Sequence, residues 1–200
     1  MSKKIDIFSI ISGHCSSLRN SDGSFNLYDF ITFFILPLAV AIFGALYIPK
    51  LSEGTISLLV NFGSIFTALL LSVLVLIFDQ ENKADEQHEK YLLYKEEMDR
   101  NPSLSMSVAH TWIFNRNLDE SYHDKKVLLK QLYFNISFSI IVSLLLVLLC
   151  LLYSNINLLG GVEYENIAIK IMVFAITFLM ITIFLNILMI VKRMHVMLTS

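Results

Sequence analysis

Four long apolar runs, arranged in two pairs, dominate the chain. Each holds about 20 residues, and an α-helix of that length crosses the hydrocarbon core of a bilayer. The pattern therefore predicts an all-α polytopic membrane protein with four transmembrane helices, at residues 28–48, 56–78, 132–153 and 167–191. It divides the chain into an N-terminal juxtamembrane segment (1–27), a first transmembrane hairpin (28–78), a cytoplasmic helical segment (79–130), a second transmembrane hairpin (131–191) and a tail (192–200).

The polar segment between the two pairs is the main soluble part of the chain. Residues 79–100 are rich in charge and contain neither glycine nor proline, so the second span is predicted to continue as a helix beyond the membrane. Pro102 ends that helix, because proline disfavours helical geometry in the residue before it. The helix resumes at about residue 118 and runs into the third span. These features predict two helical arms joined by an apolar elbow around Trp112.

The apolar side chains of this segment are its candidate contacts for a partner protein, since aromatic and large aliphatic residues dominate protein interfaces. An alternative is that they only cover the two arms and close a small helical bundle. The candidate partner-binding residues are Tyr91, Tyr94, Trp112, Ile113 and Phe114.

Polar and small residues recur at helical spacing within the spans. Small residues four apart let two helices approach closely, and asparagine or serine side chains hydrogen-bond between helices. The same residues would line a water-filled path if several copies assembled around it. The helix-packing or pore-lining candidates are Asn61, Ser64, Ala68 and Ser72 in the second span, Asn135, Ser139 and Ser143 in the third, and Thr182 and Asn186 in the fourth.

Two further local signals concern the beginning of the chain. An apolar stripe from Ile5 to Ile11, flanked by charged residues, predicts a short amphipathic helix on the membrane surface, with a frayed end as the alternative. Pro37 lies inside the first apolar run and removes one backbone hydrogen bond, which predicts a kink between residues 33 and 37.

Composition and charge set the compartment. Hydrophobic residues make up 56% of the 200 residues, and the formal net charge is only -2, with no basic stripe for nucleic acid. All lysines and arginines except Lys50 and Lys170 fall on one side if both termini face the cytoplasm. The sequence thus predicts an integral membrane protein with cytoplasmic termini, a lipid bilayer around it and no direct contact with nucleic acid.

Enzymatic and metal chemistry find little support in the residue pattern. His14 and Cys15 are adjacent, and neighbouring side chains on a helix do not face each other. His88 lies near Glu81 and Asp85, but the spacing matches no known zinc pattern. The two cysteines lie in segments of different polarity and predict no disulfide. We therefore predict no catalytic residue, no metal site and no cofactor.

The architecture resembles small four-span membrane proteins of the bacterial inner membrane that belong to anti-phage defence systems, such as the membrane subunit of the Kiwa system. The likeness rests on about 200 residues, four spans, inward termini and one cytoplasmic helical excursion, and no residue motif transfers with it. It implies a homo-oligomer in the inner membrane that works with a soluble cytoplasmic partner. The expected function is to sense membrane perturbation or to anchor that partner through residues 79–130. The alternatives are a pore-forming or membrane-depolarising effector and, more weakly, a small transporter or channel.

Overall fold

The computed structural model describes residues 7–17, 31–100, 105–155 and 162–199, and within these ranges all regular secondary structure is helical. Helix α1 is a short helix that precedes the apolar runs. Helix α2 opens with a π-helical turn, and the next three helices are much longer. Their bounds are Ile7–Ser17 for α1, Leu36–Tyr47 for α2 after the π-helical turn Ile31–Ile35, Glu53–Arg100 for α3, Ser105–Ser154 for α4 and Val162–Thr199 for α5.

Among the described residues, three helices are long and apolar enough to cross a membrane. They lie within Glu53–Glu97, Tyr122–Ser154 and Ile167–His195. The predicted first span is described only from residue 31, where the apolar helix Ile31–Tyr47 is shorter than the other three. The described residues therefore contain three membrane-length helices and one shorter apolar helix, and the fourth span stays a prediction.

The helix boundaries follow from local chemistry. The π-helical turn Ile31–Ile35 comes just before Pro37, in the stretch where proline predicts an irregularity. Ser52 caps α3, with its Oγ 3.2 Å from the backbone nitrogen of Thr55. At the far end, α3 stops at Arg100, immediately before Asn101 and Pro102.

Helices α3 and α4 form one antiparallel pair along most of their length. Toward the end of the pair remote from the polar arms, a side chain at Gly63 would place its Cβ 2.7 Å from Val147, so glycine permits the close approach. One turn along, the hydroxyls of Thr67 and Ser143 are 2.6 Å apart. The residue numbers of the paired positions rise along α3 as they fall along α4, as expected for antiparallel helices. This register continues beyond the apolar runs into the polar arms.

The remaining helices pack around α4 and α5. Helix α5 contacts α4, α2 contacts α5, and α1 contacts α4. The first pair of apolar helices therefore does not pack as the predicted hairpin, because α2 takes α5 rather than α3 as its main neighbour. The link after α2 is tied to the end of α4, where the Tyr153 hydroxyl accepts a hydrogen bond of 2.8 Å from the Leu51 backbone.

The apolar core lies between α3, α4 and α5 in two clusters. One cluster lies toward the ends of these helices that are remote from the polar arms and extends to the middle of the apolar runs. The second lies nearer the arms. The first contains Ile56, Val142, Leu146, Cys150, Tyr153, Ile169, Val173, Ile176 and Ile183, and the second contains Leu70, Ile77, Leu129, Leu132, Ile136 and Ile190.

The predicted elbow around Trp112 is wrong, because the backbone is helical without a break from Ser105 to Ser154. Proline is the only strong helix breaker in this region, and Pro102 lies before α4 begins. Bulky apolar residues such as those at 112–114 do not interrupt a helix. The backbone is therefore helical up to Arg100 and again from Ser105 onward.

Candidate functional site

The polar parts of α3 (residues 79–100) and α4 (residues 105–130), which we call the arms, are joined by a three-residue cluster. The Asp85 carboxylate accepts hydrogen bonds from the Tyr122 hydroxyl at 2.6 Å and from the Lys126 ammonium at 2.8 Å. The Tyr122 and Lys126 side-chain polar atoms are themselves 2.9 Å apart. Because each of the three groups contacts the other two, the cluster fixes the rotation of one arm against the other.

Ring stacking lies directly beside this cluster. The imidazole of His88 stacks on the Tyr122 ring, with ring centroids 3.9 Å apart and planes within 1° of parallel. The Tyr91 ring lies 6.2 Å from His88. Ala84, one turn before His88, is buried between the helices. These contacts make the proximal part of the arms a packed helical pair instead of two separate extensions.

Electrostatics reinforce the cluster. The hydrogen bond from Lys126, and then that from Tyr122, lower the pKa of the Asp85 carboxyl below its ordinary value. The same contacts raise the pKa of Lys126, with the Asp85 bond as the largest cause. Both groups are therefore charged throughout the physiological range, and the cluster is held as an ion pair. Both side chains are substantially exposed to solvent, so the ion pair adds little to the free energy of folding, and its main effect is to fix the relative position of the two arms.

The first arm is further stabilised as a helix by ion pairs between residues four apart. The three pairs lie along the arm from its base to its tip, each with an acid N-terminal to its basic partner, which is the favourable order. They join Asp79 to Lys83 at 2.7 Å, Glu86 to Lys90 at 2.7 Å and Glu96 to Arg100 at 2.5 Å.

The surface of the first arm carries two apolar residues that the sequence did not single out as candidate contacts. Leu92 is 49% exposed and Leu93 is 58% exposed, in a stretch where the other exposed side chains are mostly charged. Of the predicted contact residues, Tyr91 is half-buried beside His88. The side chains of Tyr94 and of the cluster Trp112, Ile113 and Phe114 lie outside the described part of the structure, although their backbone is helical.

A second polar constellation, which we call the α1 lock, lies where α1 packs on α4. The Oδ1 atom of Asn135 accepts a hydrogen bond of 2.8 Å from Nδ1 of His14 and lies 2.8 Å from the Ser17 hydroxyl. Ser17 is also 2.7 Å from the carbonyl oxygen of His14. All three side chains are buried. Since Asn135 can only accept through Oδ1, its bond requires the His14 tautomer protonated on Nδ1.

Packing completes the α1 lock. The His14 ring stacks on Phe138, with centroids 4.0 Å apart and planes 6° from parallel. A Cβ at Gly13 would lie 2.5 Å from the Phe134 ring, so only glycine allows this approach. From α5, the Arg193 guanidinium donates a hydrogen bond to the Ser17 carbonyl. Helix α1 is thus held by both α4 and α5.

Burial dominates the protonation of His14. Removal from water lowers the pKa of this imidazole, the hydrogen bond to Asn135 opposes the shift, and the positive charge of Arg193 lowers it further. Docked α1 therefore carries a neutral histidine at neutral pH. From the sequence alone, His14 is considered only as a neighbour of Cys15, and Ser17 is not singled out. The only signal available was their spacing of three residues, which places them on one face of α1.

The polar residues predicted along the third span all lie in the interior. Asn135, Ser139 and Ser143 have no exposed surface. Ser139 donates to the Asn135 carbonyl at 2.9 Å, and Ser143 meets Thr67 of α3. Within a single chain this stripe packs helices together, and it does not face an opening.

The fourth-span candidates behave differently from each other. Thr182 is partly buried and donates to the Phe178 carbonyl at 2.8 Å, within its own helix. Asn186 is completely buried, and neither atom of its carboxamide has a hydrogen-bond partner among the described residues. A buried amide without partners costs free energy, so Asn186 is an unfavourable contact in the isolated chain.

The second-span candidates do not form the contact between α3 and α4. Asn61, Ser64, Ala68 and Ser72 are exposed, whereas the neighbouring Thr67 and Gly63 face α4. Gly63 and Thr67 each come one residue before Ser64 and Ala68, and successive residues of an α-helix are rotated by about 100°, so the two sets lie on adjoining faces of α3. Both faces carry small residues, so the sequence pattern did not distinguish the inner face from the outer one.

The described part of the chain contains neither a cluster of metal ligands nor a disulfide. No group of three or more histidine, cysteine, aspartate or glutamate side chains there is arranged to hold a metal ion. Cys15 is exposed on α1, while Cys150 is buried in the core between the long helices, and both are free thiols.

Fold and site together define the class of the protein: an all-helical protein with three membrane-length helices, a shorter apolar helix and a pair of helical arms. Comparison with protein-family models, with curated proteins and with solved structures found no match to this chain.

Proposed function

We propose that this chain is a membrane-embedded component of a bacterial anti-phage defence system that holds a soluble cytoplasmic partner through residues 79–130. The observation that carries the proposal is the pair of arms. Residues 79–100 alone extend about 33 Å as α-helix. The arms are locked together by Asp85, Tyr122 and Lys126, and they expose Leu92 and Leu93. A rigid projection with an apolar patch suits protein contact, through which a change in the membrane would be passed to the partner.

The proposed arrangement has four spans in the inner membrane, with both termini and the arms in the cytoplasm. Its support is the distribution of lysine and arginine, which places only Lys50 and Lys170 near the other side. A reporter that is active only in the cytoplasm, inserted at Ser103 between the arms, is expected to be active. Activity of a periplasm-dependent reporter at the same position would contradict this orientation.

Contact with a partner is tested by changing the exposed leucines of the arm. The tagged full-length chain is cross-linked in cells, solubilised gently and purified with whatever soluble protein accompanies it. The double variant Leu92→Asp and Leu93→Asp is expected to lose that protein by tenfold or more, because charge in an apolar contact is costly. Glu89→Gln, an exposed change on the same arm, serves as the control. Equal recovery with all three chains would refute the proposed contact.

We further propose that the protein is a homo-oligomer in which copies meet through the outward face of α3. Its support is the exposed set Asn61, Ser64, Ala68 and Ser72, whose small side chains permit close helix approach. Ala68→Phe is expected to reduce the oligomer measured by cross-linking in the membrane. Leu69→Phe, one residue away and 60% exposed, is the matched control. If both variants assemble like the wild type, copies do not meet at this face.

Membrane potential distinguishes the proposal from the effector alternative. A subunit that holds a partner is expected to leave the potential of the cell intact when it is expressed alone. The complete burial of Asn135, Ser139 and Ser143 within one chain agrees with this expectation, since buried residues cannot line a pore. Depolarisation on expression of this chain alone would favour a pore-forming effector instead.

A further inference from the structure

A groove of about 540 Å³ lies between α1 and the part of α4 that precedes its apolar run. Hydroxyl groups of α1 line one wall, and the other wall combines an ammonium group, a carboxamide and apolar side chains of α4. The residues that define it are Ser9, Ser12 and Ser16 of α1 and Lys130, Gln131 and Phe134 of α4. No carboxylate is among the described residues that line this groove.

The helical spacing of α1 explains the hydroxyl wall. Ser9, Ser12 and Ser16 are three and four residues apart, so they lie on one face of the helix. The adjoining face, with Gly13 and His14, is the one that packs on α4. The α1 lock therefore holds the serine face in a fixed position above α4.

The charge in the groove is unbalanced. Lys126, one turn earlier on α4, forms an ion pair with Asp85 at 2.8 Å. Lys130 is exposed and has no salt-bridge partner within the described part of the chain. A lysine ammonium beside several hydroxyl donors and an amide provides the set of groups that binds phosphate oxygens.

The position of the groove along α4 indicates the level, relative to a bilayer, at which such an anion would lie. Lys130 comes two residues before Leu132, where the apolar run of α4 begins, and Phe134 lies one turn further in. On α1, Phe8 is 74% exposed and Ile11 is 40% exposed, which suits a helix lying at the surface of a bilayer. Basic pockets at this level between helices are typical binding sites for anionic lipid headgroups.

We propose that this groove binds a phosphate group, with the phosphate oxygens on Lys130 and on the serine hydroxyls of α1. Two sources share this chemistry: the headgroup of an anionic phospholipid in the adjacent leaflet, and free inorganic phosphate. Phe134 is the lining residue of α4 that lies furthest into the apolar run, and its side chain favours the phospholipid because an acyl chain can continue along it.

The test uses the full-length chain in nanodiscs of phosphatidylcholine with and without phosphatidylglycerol. Phosphatidylglycerol retained by the protein is measured by native mass spectrometry for the wild type, for Lys130→Gln and for Lys125→Gln. The control variant removes the same charge from the same helix outside the groove. We expect roughly tenfold weaker retention for Lys130→Gln, the effect of losing one charge-assisted hydrogen bond, and no change for Lys125→Gln.

Further measurements identify the source of the bound phosphate group and distinguish a binding defect from a folding defect. Ser12→Ala is expected to weaken retention severalfold at an unchanged thermal midpoint, because it removes only a hydroxyl donor. Displacement of the lipid by millimolar inorganic phosphate, with loss of displacement in Lys130→Gln, would identify free phosphate as a ligand of the same groove. Retention that is equal for the two lysine variants, or that is unaffected by both Lys130→Gln and Ser12→Ala, overturns the proposal. Because the readout is lipid or phosphate bound, it is independent of any protein partner.

Discussion

Replacing Asn135 by alanine is expected to release α1 from the long helices. The Asn135 side chain has no exposed surface, and its Oδ1 atom faces donors on both His14 and Ser17. Truncation leaves the buried Nδ1–H of His14 without its acceptor, whereas the single hydrogen of the Ser17 hydroxyl can still bond to the His14 carbonyl oxygen. An orphaned buried donor costs about 1–3 kcal/mol, so docking of α1 should weaken by that amount. That range corresponds to a shift of about 5-fold to 150-fold in the ratio of docked to released α1.

Asn186→Ala provides a matched control for this prediction. Asn186 is also fully buried and leaves a cavity of the same size on truncation, but its carboxamide has no hydrogen-bond partner among the described residues. Removing that amide sacrifices no hydrogen bond and relieves the cost of burying an unpaired polar group. The control should therefore leave α1 docked and the global stability unchanged or higher.

Hydrogen exchange of the backbone amides of α1, followed by mass spectrometry on the protein in nanodiscs, measures docking directly. In the Asn135→Ala variant the α1 amides are expected to exchange faster in proportion to the released population, while those of α3 stay protected. Identical exchange in the Asn135 and Asn186 variants would refute the reasoning. It would show that cavity formation, and not the lost acceptor, determines how firmly α1 is held.

Three other outcomes test the packing and the titration. Gly63→Ala should reduce the free energy of unfolding by about 1–3 kcal/mol through overpacking against α4, which lowers the thermal midpoint. Gly54→Ala should leave the midpoint unchanged, because an added Cβ there meets only a serine oxygen at 3.9 Å. Equal midpoints for the two variants would contradict the close approach. In the folded protein a maleimide dye should label the exposed Cys15 and leave the buried Cys150 unmodified, and labelling of both at one rate would contradict the core. The pKa of His14 is lowered from 6.5 by burial, so docking of α1 is at full strength above about pH 6.5 and is lost as the pH falls through the lower docked-state value. A fluorophore on Cys15 should report this release on acidification, with no such transition in the His14→Gln variant; a transition that persists in that variant would exclude His14 as its cause.

The local features of the fold could be predicted from residue type alone. Helix continuation through residues 79–100 follows from the absence of glycine and proline, and the end of α3 at Arg100 follows from Pro102. The failed elbow around Trp112 belongs to the same level of reasoning. The apolar composition of that stretch suggests a change of direction, although none of its residues breaks a helix.

The candidate site could be predicted only in part. The sequence indicated the arms as the contact region and marked Asn135 as a polar member of the third span. It did not pair Asp85 with Lys126, which are 41 residues apart, or His14 with Asn135, which are 121 residues apart. Such pairs depend on the register between two helices, and no local pattern in one helix contains that register.

The sequence by itself determined that the chain is helical, which stretches are apolar enough for a membrane and where the long helices stop. These properties depend on hydropathy and on the backbone hydrogen bonds within each helix, both of which are local. Only the tertiary structure decided that Gly63 and Thr67, rather than Ser64 and Ala68, face α4, and that α2 packs on α5. In an apolar helix every face is compatible with its surroundings, so the inner face is chosen by the shape and hydrogen-bonding groups of the helix that packs against it.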